Sequence, residues 1–347
     1  MLANDRQTGN NELINTRDVL LSKLNLMFAC RPEITAPGEH EKKRGGFRSK
    51  NGKLSCNYFR RNCEEGCSRM TFSLARIPTI LQAIVAGFFV AAIASNVWLL
   101  FLQNLSVLPA SVAEVFFLAL FLWWARGGGP PQVLREARSK AFRNARLTSR
   151  QWLWGLIAAF FFALTVHAAI VLLFRLVPYP VQNFRQGYDL SFIPSQSLRW
   201  IAVMISAASA AICEETGFRG FMQQPIERRH GMSVAVVISA FFFTALHLTK
   251  AWALVGMIPI VFGAGILLGW LAWSATSLIP GMIGHFVMDV GLFAYWWTGI
   301  AGTFSARTIK ETGTDAAFLI ACCAFAASLG IVIFSIARLR KSLPQLK

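Results

Sequence analysis

The sequence predicts an all-α, polytopic bundle of about eight membrane-spanning helices. Three observations predict it. Hydrophobic residues make up 55% of the 347 residues and charged residues only 15%, with a mean hydropathy of +0.49, well away from the balance of a soluble domain. Apolar stretches of ~20 residues, the length that crosses a hydrocarbon core, recur along the chain from residue 78 onward. The net charge of +17 is gathered into the first 75 residues, one loop and the C-terminal tail, a pattern that reflects membrane orientation and anionic lipid. No nucleic-acid motif accompanies it, so nucleic acid is not expected as a partner.

Residues 1–75 are polar, basic and rich in Asn, Arg, Lys and Gly, the composition of a disordered cytosolic extension. They hold no long apolar run, so no secretory signal peptide is expected. Met70 stands just before the first apolar segment, which raises the expectation of a mis-assigned upstream start and of a dispensable segment 1–69. Cys56, Cys63 and Cys67 match no zinc-ligand spacing, while Cys213, Cys322 and Cys323 lie in apolar segments as small inert side chains. All are expected to be reduced thiols.

The expected spans are 78–102, 106–125, 151–176, 198–222, 232–248, 252–273, 278–298 and 317–337. The loop "RGGGPPQVLREARSKAFRNARLTSR" carries seven Arg/Lys against one acid, and "PIERRHG" and "RLRKSLPQLK" are also basic. With eight spans, all three fall on the side of the basic N-terminus, and "VPYPVQNFRQGYDLSFIPSQS" on the other is nearly neutral. The positive-inside rule then places both termini in the cytosol. A multi-pass protein of a bacterial inner membrane, or of an endomembrane in a eukaryote, is expected. The chain divides into the extension 1–75, N-terminal membrane helices 76–197, a core 198–337 and a basic tail 338–347. Gly265 and Gly269, four apart, suit close helix packing in lipid.

Few ionisable residues remain inside these spans, and charge there is costly enough to demand a task. They are Glu114, His167, Glu214, Glu215, Arg219, His247, His285 and Asp289, with Arg175 and Arg199 near span ends. Glu114 and His167 stand alone and read as packing residues. Glu215 and Arg219 lie at i, i+4 with the acid first, so they can pair across one helix face. Glu214 is turned by about 100° from that face, available to a cavity. Phe243 and His247 lie at i, i+4 on the next span, and His285 and Asp289 on a later one, where the Asp can orient the imidazole. A carboxylate with imidazoles in a dry cavity suits general-base activation of water and polarisation of a carbonyl. On the residues alone, a hydrolase, a proton- or ion-coupled transporter and a structural role all stay open.

The stretches "EETGFR" at 214–219, "FTALH" at 243–247 and "HFVMD" at 285–289, one per helix and in this order, resemble the CAAX protease and bacteriocin-processing (CPBP) family of intramembrane proteases. Its pattern is EExxxR, FxxxH and HxxxN. The resemblance covers roughly residues 198–300 and implies a CPBP-type catalytic core. It implies a metallo- or glutamate-type endopeptidase acting on a membrane-embedded or lipid-anchored peptide within the bilayer. Glu214, His247, His285 and Asp289 would be catalytic, and Glu215, Arg219 and Phe243 would support them. Glu214, His247 and His285 would hold zinc in a metalloprotease; in a metal-free glutamate mechanism Glu214 and His247 bind the water directly. HExxH is absent, so this is not a zincin. Asp289 departs from the family's Asn: an ionised Asp only accepts hydrogen bonds and cannot serve an oxyanion. Three readings stay open: Asp289 is protonated in an apolar site, it strengthens a metal site, or, the favoured one, it orients His285 by accepting from Nδ1–H. A non-proteolytic scaffold or immunity-type relative is the alternative reading, with a proton-coupled transporter behind it.

Overall fold

The computed structural model describes residues 78–178, 185, 189–248, 250, 256–302, 304 and 307–342. The expected extension 1–75 and the end of the basic tail, 343–347, lie outside them. Each of the eight apolar segments folds as helix. The chain runs through α1 (Thr79–Asn104), α2 (Val107–Ala125), a short α3 (Arg135–Ala141) and α4 (Ser149–Leu176). Then come α5 (Gln196–Glu214), α6 (Gln224–His230), α7 (Met232–His247), α8 (Ile258–Ala275) and α9 (Ile279–Gly291). The short α10 (Ile309–Thr312) and the long α11 (Ala316–Lys341) complete it. No strand forms among the described residues.

Six of these helices are long and apolar enough to cross a membrane: α1, α2, α4, the run Gln196–His230, α8 and α11. The protein is therefore a multi-pass integral membrane protein. The other two expected spans are shorter: α7 has 16 residues, and α9 has 13, prolonged by 6 in π geometry from Leu292 to Trp297. Two boundaries differ from expectation. The span expected to stop at 222 continues to His230. The one expected from 252 starts at Ile258, where Pro259 suits a first helical turn and Gly256 turns the chain at φ +86°.

Local chemistry sets the other ends. Thr148 caps α4, with Gln151 Oε1 accepting from the Thr148 backbone N–H at 2.8 Å. Asp315 caps α11 and pairs with Arg175 at 2.8 Å. That pair, and Gln196 Nε2 donating to Ile300 O at 3.2 Å, tie elements together at one end of the bundle. The opposite end carries the basic loops. There Arg143 pairs with Glu227 at 2.6 Å, Asn144 bridges to Ser277, and Arg340 stacks over Trp273.

The loop between α2 and α4, read from sequence as an orienting charge cluster, is also a folded cap. Arg138 is buried and donates to the carbonyls of Trp124, Gly128, Gly129 and Pro131 at 2.7–3.0 Å. The main apolar core lies between α4, α8, α9 and α11, around Phe162, Ile170, Phe174, Leu268, Met288 and Ile336. α1 crosses the α5–α6 run at a point where a Cβ on Gly217 would sit 2.6 Å from Gly87 O. Only glycine permits that approach.

Candidate active site

Between α5 and α6 the helix does not break but widens. Residues Glu215–Gln223 form a π-helix, nearly all of it buried. Such i→i+5 turns shift carbonyls out of register and recur at functional sites. Side chains from outside serve two of these carbonyls: Ser239 Oγ donates to Phe218 O at 2.9 Å, and Arg143 Nε to Arg219 O at 3.2 Å. The change of pitch begins at Glu215, and the two neighbouring carboxylates, about 100° apart on the helix, point to different places.

Glu215 points inward. Its Oε1 accepts from Arg219 Nη1 at 2.8 Å and from His285 Nδ1 at 2.9 Å. Glu215 and Arg219 are 0% exposed and His285 2%. Arg219 also donates to Gly265 O at 3.3 Å and stacks its guanidinium 4.4 Å over the Phe243 ring. The carbonyl is reachable because residue 265 has no side chain: a Cβ there would lie 2.9 Å from that of Ala240. Gln223 repeats the arrangement one level on, donating to Gly269 O at 2.9 Å. Gly265 and Gly269 thus bring α8 close enough to present backbone acceptors to this buried frame.

Glu214 points into a cavity of about 100 Å³ shared with His247, His285, Asp289 and Phe243. It is 8% exposed, and its buried Oε2 has no hydrogen-bond partner among the described residues. His247 is the last residue of α7, and its Nδ1 lies 2.8 Å from Phe243 O. A carbonyl only accepts, so Nδ1 carries the proton and Nε2 is the acceptor of the ring. Counting residues inward from the basic end puts His247 nearer the opposite face than Glu214 and His285. The short α7 and the buried start of α9 at Leu278 bring all three to one cavity.

Asp289 takes a different position from the one expected. His285 Nδ1–H goes to Glu215, and Asp289 Oδ2 faces Nε2 at 3.5 Å. Glu215, not Asp289, therefore orients the imidazole. Asp289 Oδ2 thus lies across the ring from Glu215, within ion-pair reach of Nε2. Glu114 and His167 also prove to have partners. Glu114 Oε1 accepts from Ser209 at 2.7 Å, and His167 Nδ1 accepts from Trp296 Nε1 at 3.0 Å. Sequence reasoning missed the π turn, Arg143, Gln223 and Ser239; Gly217 and Gly220 within a buried helix were the available signal.

Zinc calls for three or four converging ligands. Among the described residues no three His, Cys, Asp or Glu side chains are placed to hold a metal ion, and both nitrogens of His285 face carboxylates. Glu214, His247 and His285 line one cavity without forming a ligand set.

Fold and site together define a polytopic membrane protein with an internal carboxylate–imidazole centre. Residues 195–291 match the family described as Rce1-like, type II CAAX prenyl endopeptidase, and the three motifs all lie within that stretch. That match supports a CPBP-type protease core over these residues. No curated protein and no solved structure matches the chain.

Proposed function

We propose that this chain is an intramembrane endopeptidase that hydrolyses a peptide bond of a membrane-embedded or lipid-anchored substrate. The observation that carries the reading is Glu214 on one cavity with His247, His285 and Asp289, its buried Oε2 without a hydrogen-bond partner among the described residues. Such a carboxylate is costly in lipid unless it has work to do. Water held between Glu214 and His247 Nε2 attacks the peptide carbonyl carbon as Glu214 takes its proton. The tetrahedral intermediate then collapses, the C–N bond breaks, and Glu214 returns the proton to the departing amine. Protonated at Nε2 and fixed by Glu215, His285 faces the cavity as the donor for the oxyanion. Phe243 and Arg219 hold the frame behind it.

This route passes no step through a metal. We expect turnover of a quenched peptide by purified protein in detergent to survive prolonged chelation. Loss on chelation that zinc restores would assign the site to a metalloprotease instead.

Asp289 shares a proton with His285 in this account. Asp289→Asn removes the carboxyl that shares this proton but supplies an amide N–H that can donate to the oxyanion in its place, and it leaves Glu215 to orient the ring, so the variant should fold normally and keep turnover within about tenfold of wild type. In wild type, loss of the shared proton disables the donor, so the rate should fall on the alkaline side. That limb should be absent or displaced in Asp289→Asn. Identical pH–rate profiles for the two proteins would show that no such proton is shared.

A further inference from the structure

His167 on α4 is an ionisable side chain inside a span that the reaction above leaves unused. It lies against α9, the helix that carries His285 and Asp289. The two helices run side by side in the same direction, with little side chain between them. A Cβ on Gly155 would sit 3.1 Å from Pro280 Cγ, and one on Gly284 would sit 3.1 Å from Ala159 Cα. The third contact of this row is His167 itself: a Cβ on Gly291 would meet its Nε2 at 2.4 Å. Glycine at 291 is what lets the imidazole reach the backbone of α9.

The proton on that ring is fixed by its partners. Trp296 Nε1–H can only donate, and it lies 3.0 Å from His167 Nδ1. Nδ1 is therefore the acceptor, and the neutral ring carries its proton on Nε2. The ring also bonds to the backbone of Met288. With Nδ1 taken by Trp296 and Nε2 against Gly291, that bond runs from Nε2–H to Met288 O. This carbonyl belongs to the peptide unit that leads into Asp289, and it stands where α9 changes pitch. Leu292 N–H is divided between Met288 O and Asp289 O, and Leu292–Trp297 follow in π geometry. A carbonyl with only a share of its helical donor gains from a donor outside the helix. Trp296 lies in the π segment, so His167 spans the change of pitch, donating to one side and accepting from the other. The indole is 4% exposed and packs 5.2 Å from the Phe174 ring of α4, which fixes the donor in turn.

We propose that His167 is a positioning residue of the candidate active site, holding the Met288–Asp289 peptide unit so that α9 presents His285 and Asp289 to the cavity of Glu214. Among the described residues that line this cavity His167 has no place, so it acts through α9 and not on the substrate. A packing role would ask only for the shape of a ring. The site asks for an acceptor and a donor on opposite sides of one small side chain. The proposal rests on the endopeptidase reading for its effect on turnover, but not for its effect on the placing of His285.

Three variants of the full-length protein in detergent test it. His167→Phe keeps a ring and loses both hydrogen bonds. His167→Gln keeps a donor and an acceptor. Trp296→Phe removes only the donor to Nδ1. Each is read by kcat and KM on a quenched peptide, and by the imidazole nitrogen signals of protein labelled with heavy-nitrogen histidine. His167→Phe should lower kcat roughly 10- to 100-fold, the scale of a slightly misplaced catalytic group, with KM within about twofold. It should also move the His285 nitrogen signals. Trp296→Phe should do both to a smaller degree, and His167→Gln should recover most of kcat and return the His285 signals toward wild type. A His167→Phe variant that melts lower but keeps kcat and the His285 signals would reduce His167 to packing and overturn the proposal. So would a folded His167→Gln variant no better than His167→Phe, or the unfolding of both Phe variants. If His167→Phe alone fails to fold, unmoved His285 signals in Trp296→Phe overturn it. Wild type that cleaves no peptide, with His285 signals that respond as expected, would leave the positioning role standing and reject the endopeptidase reading.

Discussion

Glu214→Gln is expected to lower kcat roughly 100- to 10,000-fold, the usual contribution of a positioned acid–base group, with no change in melting temperature. The amide has the shape of the carboxyl but cannot take a proton from water. The buried Oε2 accepts no hydrogen bond from another described group, so none is lost there. Steady-state cleavage of a quenched peptide beside a thermal melt in the same detergent checks both halves. A variant that keeps most of its turnover would remove Glu214 from the chemistry. A variant that loses turnover by unfolding would give it a structural role instead.

Glu215→Gln should act through stability. Arg219 and Glu215 are both 0% exposed, so no solvent screens the charge left behind, and breaking one side of a buried pair costs about 3–5 kcal/mol. His285 loses its charged acceptor at the same time. Thermal or denaturant melts in detergent read the first effect. Replacing both partners, Glu215→Leu with Arg219→Met, separates the two roles. An apolar pair of similar volume should recover much of the stability, while turnover stays low because nothing orients His285. A stable Glu215→Gln variant would mean that Arg219 is compensated by Gly265 O, the Phe243 ring and the neutral amide oxygen together.

The parts of this architecture that follow from one helix at a time were legible in the sequence. Eight apolar segments became helices, the i, i+4 spacing of Glu215 and Arg219 became a 2.8 Å ion pair, and Gly265 and Gly269 marked a close helix approach. What depends on how helices meet was not. A pitch of 100° per residue parts Glu214 from Glu215, but it cannot foresee a π-helix or that Glu215 reaches His285 on another helix. Asp289 was assigned the Nδ1 proton of His285 because spacing on one helix offers no rival acceptor; the rival, Glu215, sits 70 positions away in the chain. Arg138 and Arg143 counted only as loop charge, since nothing local reveals which arginine of a basic loop turns inward to cap carbonyls.

Whether Glu214 activates water to cleave a peptide bond is read without intermediaries by isotope transfer. Purified wild type and Glu214→Gln are incubated in heavy-oxygen water with a library of membrane-associated peptides, and the fragments are read by mass spectrometry. The account predicts fragments from wild type whose new C-terminal carboxyl carries one heavy oxygen, and none from Glu214→Gln. Equal cleavage by both proteins, or no cleavage by wild type from any peptide in the library, would contradict it.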